Sequence, residues 1–192
     1  VATSAAGAIG LDETDAIDLA SVSTADGSIT VTAGGTLTAT AVDSSATDND
    51  TNDVSLTTTS GDIAVVSIDA GSAGDATLTA AGAITESGTA AVDVTADDLT
   101  ATAGGSITLD TTVEHIIEAT STTSGVIDID ETDSIYLHNL TAAGGDITIT
   151  AGGYVEFEDD ADAELASGGA ITITAGGYVE FEEEANVELD SG

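Results

Sequence analysis

The sequence predicts an all-β chain wound as a parallel β-helix, a β-solenoid of about 20 to 24 residues and three short strands per coil. Three observations lead there. Residues 147 to 170 read ITITAGGYVEFEDDADAELASGGA and residues 171 to 192 read ITITAGGYVEFEEEANVELDSG, one unit in tandem at an offset of 24. Within the unit, apolar and polar side chains alternate. Glycine-rich breaks interrupt that alternation at short intervals. A fixed repeat of this length means stacked units that bury a common core only together.

The strands follow from period two, which puts alternate side chains on opposite faces. Ile147 and Ile149 flank Thr148, Val155 and Phe157 flank Glu156, and Ala161, Ala163 and Leu165 flank Asp162 and Glu164. Val, Ile and Thr suit a pleated surface. The corners fall at Gly152-Gly153, at 158 to 160 and at 167 to 169. Glycine turns a chain where other residues are strained. Phe157 and Phe181 share a repeat position and are expected in the core, whereas Tyr154 and Tyr178 share an outward one. The three strands of a coil each pair with their equivalents about 4.8 Å away, and roughly nine coils give a rod on the order of 43 Å long.

Echoes of the unit run through the chain. Residues 9 to 35 align with 127 to 153 without a gap, and Ile107, Ile127 and Ile147 are spaced by 20 with Ile171 following after 24. Spacing is looser between 40 and 100, where DSSATDNDTND at 43 to 53 reads as a polar insertion able to protrude. A β-sandwich is the rival fold, but its strands carry no tandem near-identity of this kind. Residues 1 to 192 therefore read as one solenoid segment, either part of a longer chain or a subunit that stacks on copies of itself.

Composition excludes several functions. The chain has 36 acidic residues, no Lys or Arg and a formal charge of −36. Nucleic acid needs cationic side chains, and so does an anionic membrane surface. No run of apolar residues is long enough to span a bilayer as a helix, so membrane insertion is not expected. With 41% hydrophobic residues placed periodically, the chain is not a disordered acidic tail. Without Cys there is no disulfide or thiol chemistry.

The phrases GGDITITAGG, LTATAGGSITL, AGAITESG and LDETDAIDL resemble the β-strand repeats of large bacterial exoproteins, the filamentous-haemagglutinin-like adhesins. The resemblance is clearest over 9 to 39 and 99 to 192. It implies a right-handed parallel β-helix, secretion to the cell surface, and a role as a stalk or fibre displaying adhesive regions. The absence of any basic residue is a departure from that pattern.

The acids are the main chemical feature. In-register stacking places Glu156 over Glu180, Glu158 over Glu182, and Asp159 and Asp160 over Glu183 and Glu184. Two charges about 4.8 Å apart repel by about 0.9 kcal/mol in water and about 3.5 kcal/mol at an effective dielectric near 20. Several such pairs rival the stability of a whole domain. Hard oxygen donors at this spacing suit Ca²⁺, and these eight residues are the candidate calcium edge, with a solvated face and diffuse counterions as the alternative. The DETD stretches at 12 to 15 and 130 to 133 lack the Gly and distal Glu of an EF-hand and read as acidic corners. The spacing of His115 and His138 is close to one coil, which makes them candidates to stack.

Catalysis is not expected. Lyases of this fold generally use Arg or Lys, and carboxylate pairs are too common here to single out a glycosidase site. The expected function is structural: a secreted rod or filament built by head-to-tail coil stacking, with lateral contacts through Tyr154 and Tyr178. The alternative is a binding module that recognises a glycan or host surface through the same tyrosines and residues 43 to 53.

Overall fold

The structure, a computed structural model, describes residues 1–157, 162–182 and 186–191. It is a β-solenoid of about nine turns, and the strand pairings among the described residues are parallel. Three columns of strands run the length of the rod. The first column rises from Ile9–Glu13 through Ile29–Ala33, Val54–Thr58 and Ala76–Ala80 into the second half of Val94–Ala103, then into the end of Ile107–Ser121. The second rises from Ile17–Asp18 through Leu37–Ala39, Ile63–Val65 and Ile84–Glu86 into the start of Ile107–Ser121, then Ile127–Glu131, Ile147–Ala151 and Ile171–Ala175. The third begins with Ala2–Ser4, Val22–Thr24, Val42–Asp43 and Ile68–Asp69 and ends with Val155–Phe157 and Val179–Phe181.

The core is thin and continuous because equivalent inward positions stack. In the second column the partners are Ile17, Leu37, Ile63, Ile84, Ile107, Ile127, Ile147 and Ile171, and the six internal members are fully buried. In the first column they are Leu11, Val31, Leu56, Leu78, Ala101, Ala119, Leu140, Leu165 and Leu189. Phe157 is buried and stacks on Phe181 at 4.8 Å with the rings 1° from parallel. Phe181 itself, in the last coil, is half exposed.

Coil length varies more widely than the repeat implies. The coil from Val94 to its partner Thr111 is short, whereas the coil from Val42 to its partner Ile68 is long. The long coil contains the polar insertion at 43 to 53. The insertion folds back on the stack instead of protruding. Asp48, at φ 43°, accepts the Ser72 amide at 2.7 Å and the Ala73 amide at 3.0 Å, and the Ser72 hydroxyl donates to its second oxygen at 2.8 Å. Buried Asn52 accepts the Gly27 amide at 2.7 Å and donates to Thr47 at 2.8 Å.

The glycine corners have a packing cause. A Cβ on Gly34 would lie 1.8 Å from the Thr14 carbonyl oxygen, and one on Gly152 would lie 2.2 Å from that of Thr132. Each corner rests on the corner one coil away, with the Gly34 amide bonded to the Glu13 carbonyl at 2.7 Å. No other residue type leaves room for that approach.

Candidate functional site: the acidic and aromatic flank

Many of the acids have a structural task. The Asp53 carboxylate accepts the Asp75 amide, Asp62 accepts the Ala83 amide, Asp93 accepts the Asp110 amide and Asp146 accepts the Ala170 amide, at 2.8 to 3.2 Å. In each case a corner carboxylate caps the backbone of the next coil. Charge-assisted bonds of this kind are stronger than neutral ones. The DETD corners work similarly but within one coil: Glu13 accepts the Thr14 and Asp15 amides, and Glu131 accepts the Asp133 amide.

Glu131 differs from Glu13, its counterpart in the other DETD corner, because it points inward. It is 4% exposed and lies in the ladder between Thr111 and Ala151. One carboxylate oxygen accepts the Thr111 hydroxyl at 2.8 Å and the Val113 amide at 3.0 Å. Burial pushes its carboxyl up to about 7, against the opposing effect of these donors.

The stacked glutamates lie as expected where they are described. Glu156 pairs with Glu180 in register, and Glu164 with Glu188. The Glu182 amide donates to the Phe157 carbonyl at 3.1 Å. Glu158, Asp159, Asp160, Glu183 and Glu184 lie outside the described residues. Of the expected calcium edge, the structure therefore places Glu156 beside Glu180, with Glu182 following at the same strand end.

Tyr154 and Tyr178 stack at 5.2 Å, 10° from parallel, with Tyr178 half exposed. They extend a longer aromatic column: Tyr136 lies 5.7 Å from Tyr154, their hydroxyls 2.9 Å apart, and His115 stacks on Tyr136 at 5.2 Å. Tyr154 and Tyr178 stack face to face, as do His115 and Tyr136, whereas Tyr136 meets Tyr154 edge to face with the rings 70° apart. The histidines do not occupy one repeat position, because the register partner of His115 is Tyr136 and not His138. Their rings nonetheless meet, with centroids 6.1 Å apart and tilted by 57°.

Two groupings are not apparent from the sequence. Asp97, Asp98 and His115 bring ligand atoms within 4.8 Å of one another, as do Glu86, Asp93 and Asp110. Burial, then the charges of Asp98 and Glu114, hold the Asp97 carboxyl above the usual range. Burial likewise raises Asp93, 2% exposed, against the Asp110 amide, and the charges of Asp110 and Glu86 add to it. The signal available in the sequence is the pair of adjacent aspartates one short coil before a histidine. Recognising it requires knowing that this coil is short, which the dominant repeat hides. Beside the first grouping is a recess of about 340 Å³ whose walls include Asp97, Glu114, Asp133, Tyr136 and Tyr154.

No known protein family, curated protein or solved structure matches the chain. The likeness to filamentous-haemagglutinin repeats rests on the motifs alone, while the β-solenoid it implies is the fold observed.

Proposed function

We propose that the chain is a structural segment of an extracellular fibre or adhesin stalk, a rod that spans distance and bears load. The supporting observation is the unbroken aliphatic column from Ile17 to Ile171, paired coil to coil along the rod. A backbone ladder parallel to the long axis resists extension because many hydrogen bonds share the load. Rods of this kind lengthen by stacking coil on coil, as the in-register ladders do here. The acidic sleeve keeps neighbouring rods apart, and cations, Ca²⁺ among them, bridge carboxylates of adjacent coils such as Glu156 and Glu180.

The test is immunogold electron microscopy on intact source cells. The expected result is label along surface fibres before any permeabilisation. Label confined to permeabilised cells refutes an extracellular role.

A second reading, a module that contacts a glycan, has one specific support: the recess that Tyr136 and Tyr154 line together with Asp97, Glu114 and Asp133. Glycan-array binding that is lost in Tyr136→Ala tests it.

A further inference from the structure

We propose that Asp97, Asp98 and His115 form a binding site for a divalent transition metal ion of the manganese-to-zinc series. Three features of the geometry converge on this. First, the donors are mixed. Calcium and magnesium sites are built of oxygen, whereas an imidazole nitrogen beside carboxylates selects later first-row ions. Second, the spacing fits. His115 Nδ1 and Asp98 Oδ1 are 2.9 Å apart. Ligands about 2.1 Å from a metal and at right angles to each other are separated by roughly 3.0 Å. That separation is also the length of the hydrogen bond joining the pair, so a bound ion takes the place of its proton, and one ligand atom each of Asp97, Asp98 and His115 lie within 4.8 Å of one another.

Third, the fold fixes the ligands and leaves an approach. Asp98 and His115 are register partners on adjacent coils, where the coil is short and the register shifts at a bulge between Leu99 and Thr100. Asp97 lines the recess it shares with Glu114, which opens this ligand to solvent. The chain's two histidines are also brought to this one place, since His138 lies 6.1 Å from His115 between ring centroids. The grouping of Glu86, Asp93 and Asp110 has no such nitrogen and takes no part in the proposal.

The experiment is a titration of the whole chain with Co²⁺ in a large excess of Mg²⁺, which occupies the diffuse acidic surface. Binding is read by visible Co²⁺ absorption and by paramagnetic shifts of the His115 ring protons. One tight equivalent is expected, weakened by at least about tenfold in His115→Ala, the scale seen when metal-site partners are removed. Asp97→Asn leaves the Asp98–His115 hydrogen bond in place and serves as a second variant if the first misfolds; the same loss is expected. Co²⁺ binding that Mg²⁺ abolishes, or that neither variant weakens, overturns the proposal.

Discussion

Ile9 and Ile127 open segments of matching sequence, yet they sit on different faces of the coil. Ile9 pairs with Ile29 and leads up the first column through Val54, Ala76 and Leu99 to Ile116. Ile127 pairs with Ile107 and traces down the second column through Ile84, Ile63 and Leu37 to Ile17. The repeat has slipped by one face. The slip is taken up where Ile107–Ser121 runs as one strand of 15 residues, without the glycine corners that divide other coils. Stacking tolerates this because each face needs only an inward aliphatic residue at the right height, not a particular strand of the repeat.

Fully buried positions of the aliphatic column should be the most sensitive to truncation. Ile107 is fully buried between Ile84 and Ile127, so Ile107→Ala should cost about 2–5 kcal/mol, as other large-to-small core changes do. Ile171 is only partly buried, and Ile171→Ala should cost clearly less. Urea unfolding of both variants, compared at equal denaturant slope, gives the ranking. Equal losses would mean that the two positions are packed alike.

Corner glycines should be far less replaceable than strand glycines. Gly34→Ala drives a methyl into the Thr14 carbonyl, and a loss of about 1–3 kcal/mol or more is expected for such overpacking. Gly10, in a strand, has nothing within 4 Å of the added carbon, and Gly10→Ala should be neutral or slightly stabilising. Thermal melting of the two variants measures the contrast.

Most of the fold is legible in the sequence because the information is redundant. The tandem spacing puts Ile107, Ile127, Ile147 and Ile171 at one position of successive coils, and all four pair in register. The pairings of Glu156 with Glu180 and Phe157 with Phe181 follow from the same tandem unit. Coils that depart from the repeat are not legible. The insertion at 43 to 53 reads as a free loop because its anchors, Asp48 to Ser72 and Asn52 to Gly27, join residues 24 and 25 apart in sequence. The meeting of Asp98 with His115 depends on one coil losing its corners, and nothing in the alternation of residues 107 to 121 announces that. Polar side chains are legible as outward but not as caps, since capping depends on the height of the next coil's amide.

Stability should fall as pH rises through neutrality, opposite to the usual behaviour of a salt-bridged carboxylate. Glu131 has a folded-state value raised from 4.5 to about 7 by burial. The folded state therefore holds this proton more tightly than the unfolded chain. The stabilisation is complete below about 4.5 and is lost as pH climbs to about 7, by at most about 3 kcal/mol at 1.36 kcal/mol per unit. Asp75, Asp93, Asp97 and Asp128, all raised primarily by burial, act in the same direction. Glu131→Gln keeps the shape without the charge and should flatten the slope between pH 5 and about 7. Denaturant midpoints across that range decide the matter, and a slope unchanged in the variant would exonerate Glu131.

Calcium should stabilise the rod beyond what ionic strength does. A chain with 36 acids and no basic side chain repels itself at every coil, and any salt screens part of that. Screening alone depends on ionic strength and treats exposed carboxylates alike. Bridging is local and needs the in-register pair Glu156 and Glu180. At matched ionic strength, Ca²⁺ should therefore raise the melting temperature more than Na⁺, and EDTA should reverse the excess. In the double variant Glu156→Gln, Glu180→Gln the excess should shrink, while the response to Na⁺ stays nearly the same because all but two of the 36 acids remain. If Ca²⁺ and Na⁺ coincide at equal ionic strength, the sleeve holds only diffuse counterions and coil-to-coil bridging at this edge has no chemical basis.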